Sequence, residues 1–172
     1  MTFVYPYSVD INERRRQIWD NLQKGLLFEN AQTFIPWTTQ YKDLDRFKET
    51  KEVTGDRTYW YLGQQKVLHG LTCRVVVLQW KDQPDNSSFN RIEENLGTDE
   101  DGNKRFLDCI NHLTNLLGPP TKSELNKFDI YDLGVVAWTT GKVEISVVGV
   151  EMFNCRYGLS IELMDKPQPK RD

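Results

Sequence analysis

Imidazole and thiol chemistry in this chain rests on His69 and His112 and on Cys73, Cys109 and Cys155. Cys109 and His112 are three positions apart, a spacing that puts both on one helix face, where two metal ligands could sit. A closed zinc shell needs about two more ligands, and no Cys-x-x-Cys pair or second His pair supplies them. The simpler reading is a small buried thiol beside a surface imidazole, and no metal is expected. Cys73 and Cys155 fall in strand-forming segments, where thiols behave as small hydrophobes rather than nucleophiles.

The acidic run Asp99-Glu100-Asp101-Gly102-Asn103 resembles the start of a calcium loop but lacks its alternating ligand series and closing Glu. It reads as a polar loop whose acids face the start of a helix, where negative charge is favoured. With Glu93 and Glu94 it forms an acidic region suited to a basic partner. There is no glycine-rich phosphate loop, no Gly-x-Ser-x-Gly elbow and no convincing carboxylate pair. No catalytic residue is assigned and no cofactor is expected, so an enzyme is the less favoured reading.

Aromatic residues are the other candidates. In Tyr59-Trp60-Tyr61 neighbours on a strand face opposite ways, so at least one ring must leave the face that packs on the helices. Trp37 follows Pro36 in a loop. Aromatic rings exposed in this way make binding hot spots. The candidate partner-binding set is therefore Trp37, Tyr59, Trp60, Tyr61, Glu93, Glu94, Asp99, Glu100 and Asp101.

The elements that would position these residues follow from periodicity. Asp10 and Glu13 have capping-box spacing before an apolar stripe at Ile11, Ile18, Leu22 and Leu26, predicting a helix over about 10–25. A second helix is expected over 39–51, carrying Tyr41, Leu44 and Phe47 inward. The third, over 104–117, has Phe106, Ile110, Leu113 and Leu117 on one stripe and a stop at Gly118-Pro119-Pro120. Strands are expected at 58–62, ending at Gly63, then at 71–80 and 89–92, with polar loops at 81–88 and 95–103. Further strands follow near 128–133, 135–139, 143–150 and 156–163, the last two cleanly alternating.

Helices followed by antiparallel strands define an α+β fold, with helices packed on a sheet of five to seven strands. Residues 1–164 are taken as one domain, with 165–172 as a frayed tail. Leu62-Gly63 and Gly70 match Leu133-Gly134 and Gly141 at an offset of 71, whereas Cys73, Val75, Val77 and Phe89 match Val143, Ile145, Val147 and Leu159 at 70. Two helix–meander pseudo-repeats, 10–97 and 98–164, would explain the echo; so would two meanders that merely share turn chemistry.

Composition narrows the roles. With 22 basic against 25 acidic residues, the net charge of −3 disfavours nucleic acid, and the Arg14-Arg15-Arg16 run would fan over a solvated helix surface. Three widely spaced cysteines argue for a reducing compartment. The amino terminus lacks the features of a signal peptide, and no apolar stretch approaches the ~20 residues of a membrane span. A cytoplasmic location without membrane association is expected, and the oligomeric state is left open.

Leu116-Leu117-Gly118-Pro119-Pro120, Trp138, Gly141-Lys142-Val143-Glu144-Ile145 and the strand around Tyr157-Gly158-Leu159-Ser160-Ile161 together form a unit that resembles those of small bacterial toxin-immunity proteins. The arrangement also resembles beta-lactamase inhibitor proteins and outer-membrane assembly lipoproteins, although the lipoprotein Cys is missing. The resemblance spans about 60 residues and transfers no functional residue. It implies a protein-binding module of the immunity type, which neutralises a bacterial toxin, such as a basic toxin domain, by direct contact. The alternative is a small-ligand binder or enzyme that uses the sheet concavity, with Arg74, Tyr59, Tyr61 and His69 as polar contacts.

Overall fold

A computed structural model describes residues 2–164; the expected tail at 165–172 lies outside them. The fold is mixed but mostly sheet. Helix α1 (Ile11–Leu22) opens at Asp10, whose Oδ1 accepts from the Glu13 amide at 2.9 Å. Only half of the capping box forms, because the Glu13 carboxylate turns to Arg16 instead. Strands β1 (Gly25–Phe28) and β2 (Thr33–Pro36) then make a small hairpin.

The helix expected over 39–51 is absent. In its place a 3-10 helix (Tyr41–Arg46) buries Tyr41 and Leu44, and the chain turns into strand β3 (Thr50–Thr54). Tyr41 and Leu44 are three apart, so one tight turn is enough to bury both. A meander follows through β4 (Arg57–Val67), β5 (Leu71–Trp80) and β6 (Arg91–Thr98). Strand β4 does not end at Gly63: that glycine, at φ +80°, sits in a register shift, and pairing resumes at Gln64.

Helix α2 (Asp99–Leu117) starts five residues before its expected beginning, and residues 95–98 are strand rather than loop. Gly102 lies inside this helix. A side chain there would stand 2.6 Å from both the Gly97 backbone and the Tyr157 ring, so the glycine allows the helix to seat closely on the sheet. A second meander completes the chain: β7 (Lys122–Phe128), β8 (Tyr131–Thr140), β9 (Val143–Glu151) and β10 (Cys155–Leu163). The strand expected at 128–133 is split by a turn at 129–130, with Phe128 ending β7 and Tyr131 to Leu133 opening β8.

The eight strands form one antiparallel sheet in the order β3-β4-β5-β6-β10-β9-β8-β7, one strand more than the expected maximum. Each meander's last strand meets the other's at the centre, Ile92 opposite Ile161. The core lies on one face, where Trp60, Val75, Val77, Ile92, Ile161, Ile145 and Trp138 meet Ile18, Leu44, Phe106 and Leu113 from the other elements. The three arginines of the basic run do separate: Arg14 binds the Ser8 carbonyl, Arg15 the Leu116 carbonyl, and Arg16 pairs with Glu13 and Asp20. Arg15 thus places a cation on the carbonyl end of α2, where it is electrostatically favoured.

Candidate functional site

Alternation along the strands gives the sheet a second face. Register carries a row across it: Thr50 opposite Tyr61, then Val76, Glu93, Ser160, Ser146, Ala137 and Lys122. The core elements pack on the opposite face, so among the described residues this one is left open. Tyr59 and Tyr61 stack on it, ring centroids 6.4 Å apart, beside Val76 and Leu78 on the neighbouring strand. Tyr61 Oη donates to Glu52 at 3.3 Å, and the acid raises the phenol's pKa further after desolvation. At the centre the Ser146 and Ser160 hydroxyls meet at 2.8 Å. Ser160 and Ala137 are buried although they face outward, because small side chains lie recessed between longer neighbours. Arg91 bridges Glu93 at 2.8 Å and Glu162 at 3.3 Å on the same face.

The nine candidate partner-binding residues do not converge. Trp60 is 1% exposed and donates Nε1–H to Gln79 inside the core. Trp37 is 3% exposed, packs on Phe89, and donates Nε1–H to the Leu22 carbonyl. Neither offers surface to a partner; the pleat sends Trp60 inward and its two tyrosine neighbours outward. The acidic stretch is divided in the same way. Glu93 faces the open side, whereas Glu94 points to the helix side and is buried. Asp99 ties down the Cys155 amide, and Glu100 and Asp101 are exposed in the first turn of α2. The contacts proposed for the small-ligand alternative are also divided: Arg74, Tyr59 and Tyr61 lie on the open face, whereas His69 sits in the β4–β5 turn against the Tyr7 ring.

A cavity of about 340 Å³ opens between α2 and the adjoining ends of β5 and β6, lined by Glu94, Arg105, Asp108, Cys109, His112 and a set of apolar side chains. The Glu94 side chain is 5% exposed and accepts from Arg105 Nη2 at 2.7 Å. His112 Nε2 lies 2.9 Å from the Leu68 carbonyl. The carbonyl can only accept, so Nε2 carries a proton in this contact. Burial pushes the Cys109 thiol up to about 12 and the Cys73 thiol higher still, with Glu94 adding to both. Neither is a nucleophile at neutral pH. The Cys109–His112 spacing was visible in the sequence; Glu94 and Arg105 joined them only through sheet register. Among the described residues no group of three or more His, Cys, Asp and Glu side chains is placed to hold a metal ion.

Beside the cavity Leu68, His69 and Gly70 all have positive φ, at 49°, 61° and 89°. The Glu29 carboxylate holds this turn, accepting from the His69 and Gly70 amides at 2.6 and 2.8 Å. Successive amides turned toward one point make an anion nest, here filled by a side chain of the same protein.

Compared with protein-family models, with curated proteins and with solved structures, the chain matches none. No helix among the described residues is long and apolar enough to cross a membrane.

Proposed function

We propose that this chain is a protein-binding module that engages its partner through the open face of the eight-stranded sheet. The observation that carries the reading is the stacked Tyr59–Tyr61 pair beside Val76 and Leu78, on the same face as the recessed Ser146–Ser160 centre two strands further on. Aromatic anchors next to a shallow, hydrogen-bonding centre with an arginine are the composition of binding surfaces. The anchors are thus Tyr59 and Tyr61, not Trp37 and Trp60. Glu52 and Glu93 on this face, with Glu100 and Asp101 beyond it, suit a basic partner, whose encounter rate they would raise. The immunity-type reading makes a toxin domain the first partner to test, met in the cytoplasm.

We further infer that the two halves are pseudo-repeats. Each holds a helix and a four-stranded meander, with the β1–β2 hairpin and the 3-10 helix inserted between them in the first half only, and the halves divide between Thr98 and Asp99, one residue after the expected boundary. Leu62-Gly63 and Leu133-Gly134 occupy the second strand of each meander, and Gly70 and Gly141 the turn before the third. Cys73, Val75 and Val77 correspond to Val143, Ile145 and Val147 as core-facing residues of the third strands. Phe89 and Leu159 do not correspond: Phe89 precedes its strand and Leu159 is within one.

The test is affinity for a candidate basic toxin domain before and after Tyr59→Ala and Tyr61→Ala. A loss of roughly 2 kcal/mol or more for either supports the reading. Unchanged affinity sinks it.

A further inference from the structure

We propose that the cavity between α2 and the β5–β6 ends is a binding site for a small organic amine carrying an apolar body. The proposal rests on neither the open face nor a protein partner, since the cavity belongs to the helix side of the sheet. Its volume, about 340 Å³, lies at the lower end of the range for small-molecule sites. Leu71, Leu96 and Leu159 give it an apolar wall, against which hydrocarbon gains by leaving water.

Its polar groups are mostly acceptors. The Glu94 carboxylate is 5% exposed and accepts from Arg105 and from the Cys73 thiol, two of a carboxylate's about four lone-pair sites. Asp108 is a second acceptor on the rim, met from the solvent side by Lys104 at 3.4 Å. His112 donates its Nε2–H to the Leu68 carbonyl. Arg105 gives one N–H to Glu94 and one to the Asn95 carbonyl. A ligand headgroup that only donates fits this inventory, and an ammonium supplies three N–H groups and a charge complementary to Glu94 and Asp108. An anionic headgroup on Arg105 would stand beside the Glu94 and Asp108 carboxylates, where like charge opposes it.

The experiment is calorimetric titration of the full chain with phenethylamine, with 3-phenylpropanoate and phenethyl alcohol as isosteric controls. Amide shifts at Cys109, His112 and Leu159 locate the binding. The amine is expected to bind and to move those signals, with the acid and the alcohol at least about tenfold weaker. Glu94→Gln should weaken the amine by a similar factor. Because Glu94→Gln also disturbs a buried pair, Asp108→Asn on the exposed rim provides a second reading and should weaken it severalfold in a protein that melts like wild type. No shift at these residues by about 10 mM amine, equal binding of the acid, or unchanged affinity in both variants overturns the proposal.

Discussion

Glu94 and Arg105 face each other across the boundary between the central strand β6 and helix α2, at 2.7 Å. The acid is almost wholly covered, whereas the guanidinium is 49% exposed, so water already screens part of the attraction. Removing the arginine strands a buried charge. Arg105→Ala is expected to cost about 1–3 kcal/mol, discounted for that exposure. Urea unfolding checks it, and a midpoint equal to wild type would show that Glu94 finds other solvation.

The β4–β5 turn should depend on Glu29 in the same way. Three consecutive residues with positive φ are held there by one carboxylate, and for the two that are not glycine, Leu68 and His69, such a conformation costs about 1–3 kcal/mol each. Glu29→Ala should lower stability by roughly 2–4 kcal/mol, since two amides lose a charged acceptor. Native-state hydrogen exchange should show the His69 and Gly70 amides opening first.

Trp60→Ala separates packing from recognition. With the ring 1% exposed and its N–H bonded to Gln79, truncation should cost about 3–5 kcal/mol of stability. Tyr61→Ala, on the outer face of the same strand, should cost no more than about 1 kcal/mol. Thermal melts of the two variants decide this, and similar losses would mean that the tyrosine packs as a core residue.

Stability should also fall at alkaline pH. Burial raises the pKa of Cys73 and Cys109 above the ordinary 9.0, and that of Tyr41 and Tyr157 from 10.0 to about 12. Below pH 9 these groups are protonated in both folded and unfolded chains, so their contribution is fully present. As pH rises past 9 the unfolded chain gives up protons that the folded chain retains, and the contribution is lost on the way to about 12. The urea midpoint should decline steadily from pH 9 to 11. All three cysteines are buried, so none should react with a thiol reagent until the chain unfolds.

What the sequence revealed depended on pattern. Strand β5 carries the alternation of a covered strand and was read with its observed ends, 71–80. The stripe on α2 marked that helix from 104, but residues 99–103 before it are polar and carry no apolar period, so they read as loop, and Gly102 is poorly suited to a helix interior. Only the approach of Gly97 and Tyr157 explains why it is there. The outermost strands β3 and β7 were invisible for a different reason. Every residue on them is exposed, so neither has an apolar period to read. The aromatic triplet at 59–61 was recognised, but the pleat's phase, which buries Trp60 and frees both tyrosines, comes from pairing with β3 and β5. The cavity needed register still more, because Glu94 reaches Arg105 and Cys109 only once β6 lies beneath α2.

The central claim is that a partner docks on the open sheet face, and a solvent footprint of that face tests it most directly. Hydroxyl-radical labelling of Tyr59 and Tyr61, with and without a basic toxin domain that binds the chain, reads the contact itself. The account predicts strong protection of both rings in the complex, unchanged labelling of His112 on the helix side, and loss of the complex in the Tyr59→Ala, Tyr61→Ala double variant. Tyrosines that stay equally reactive in a formed complex, with protection falling on α2 instead, would contradict it.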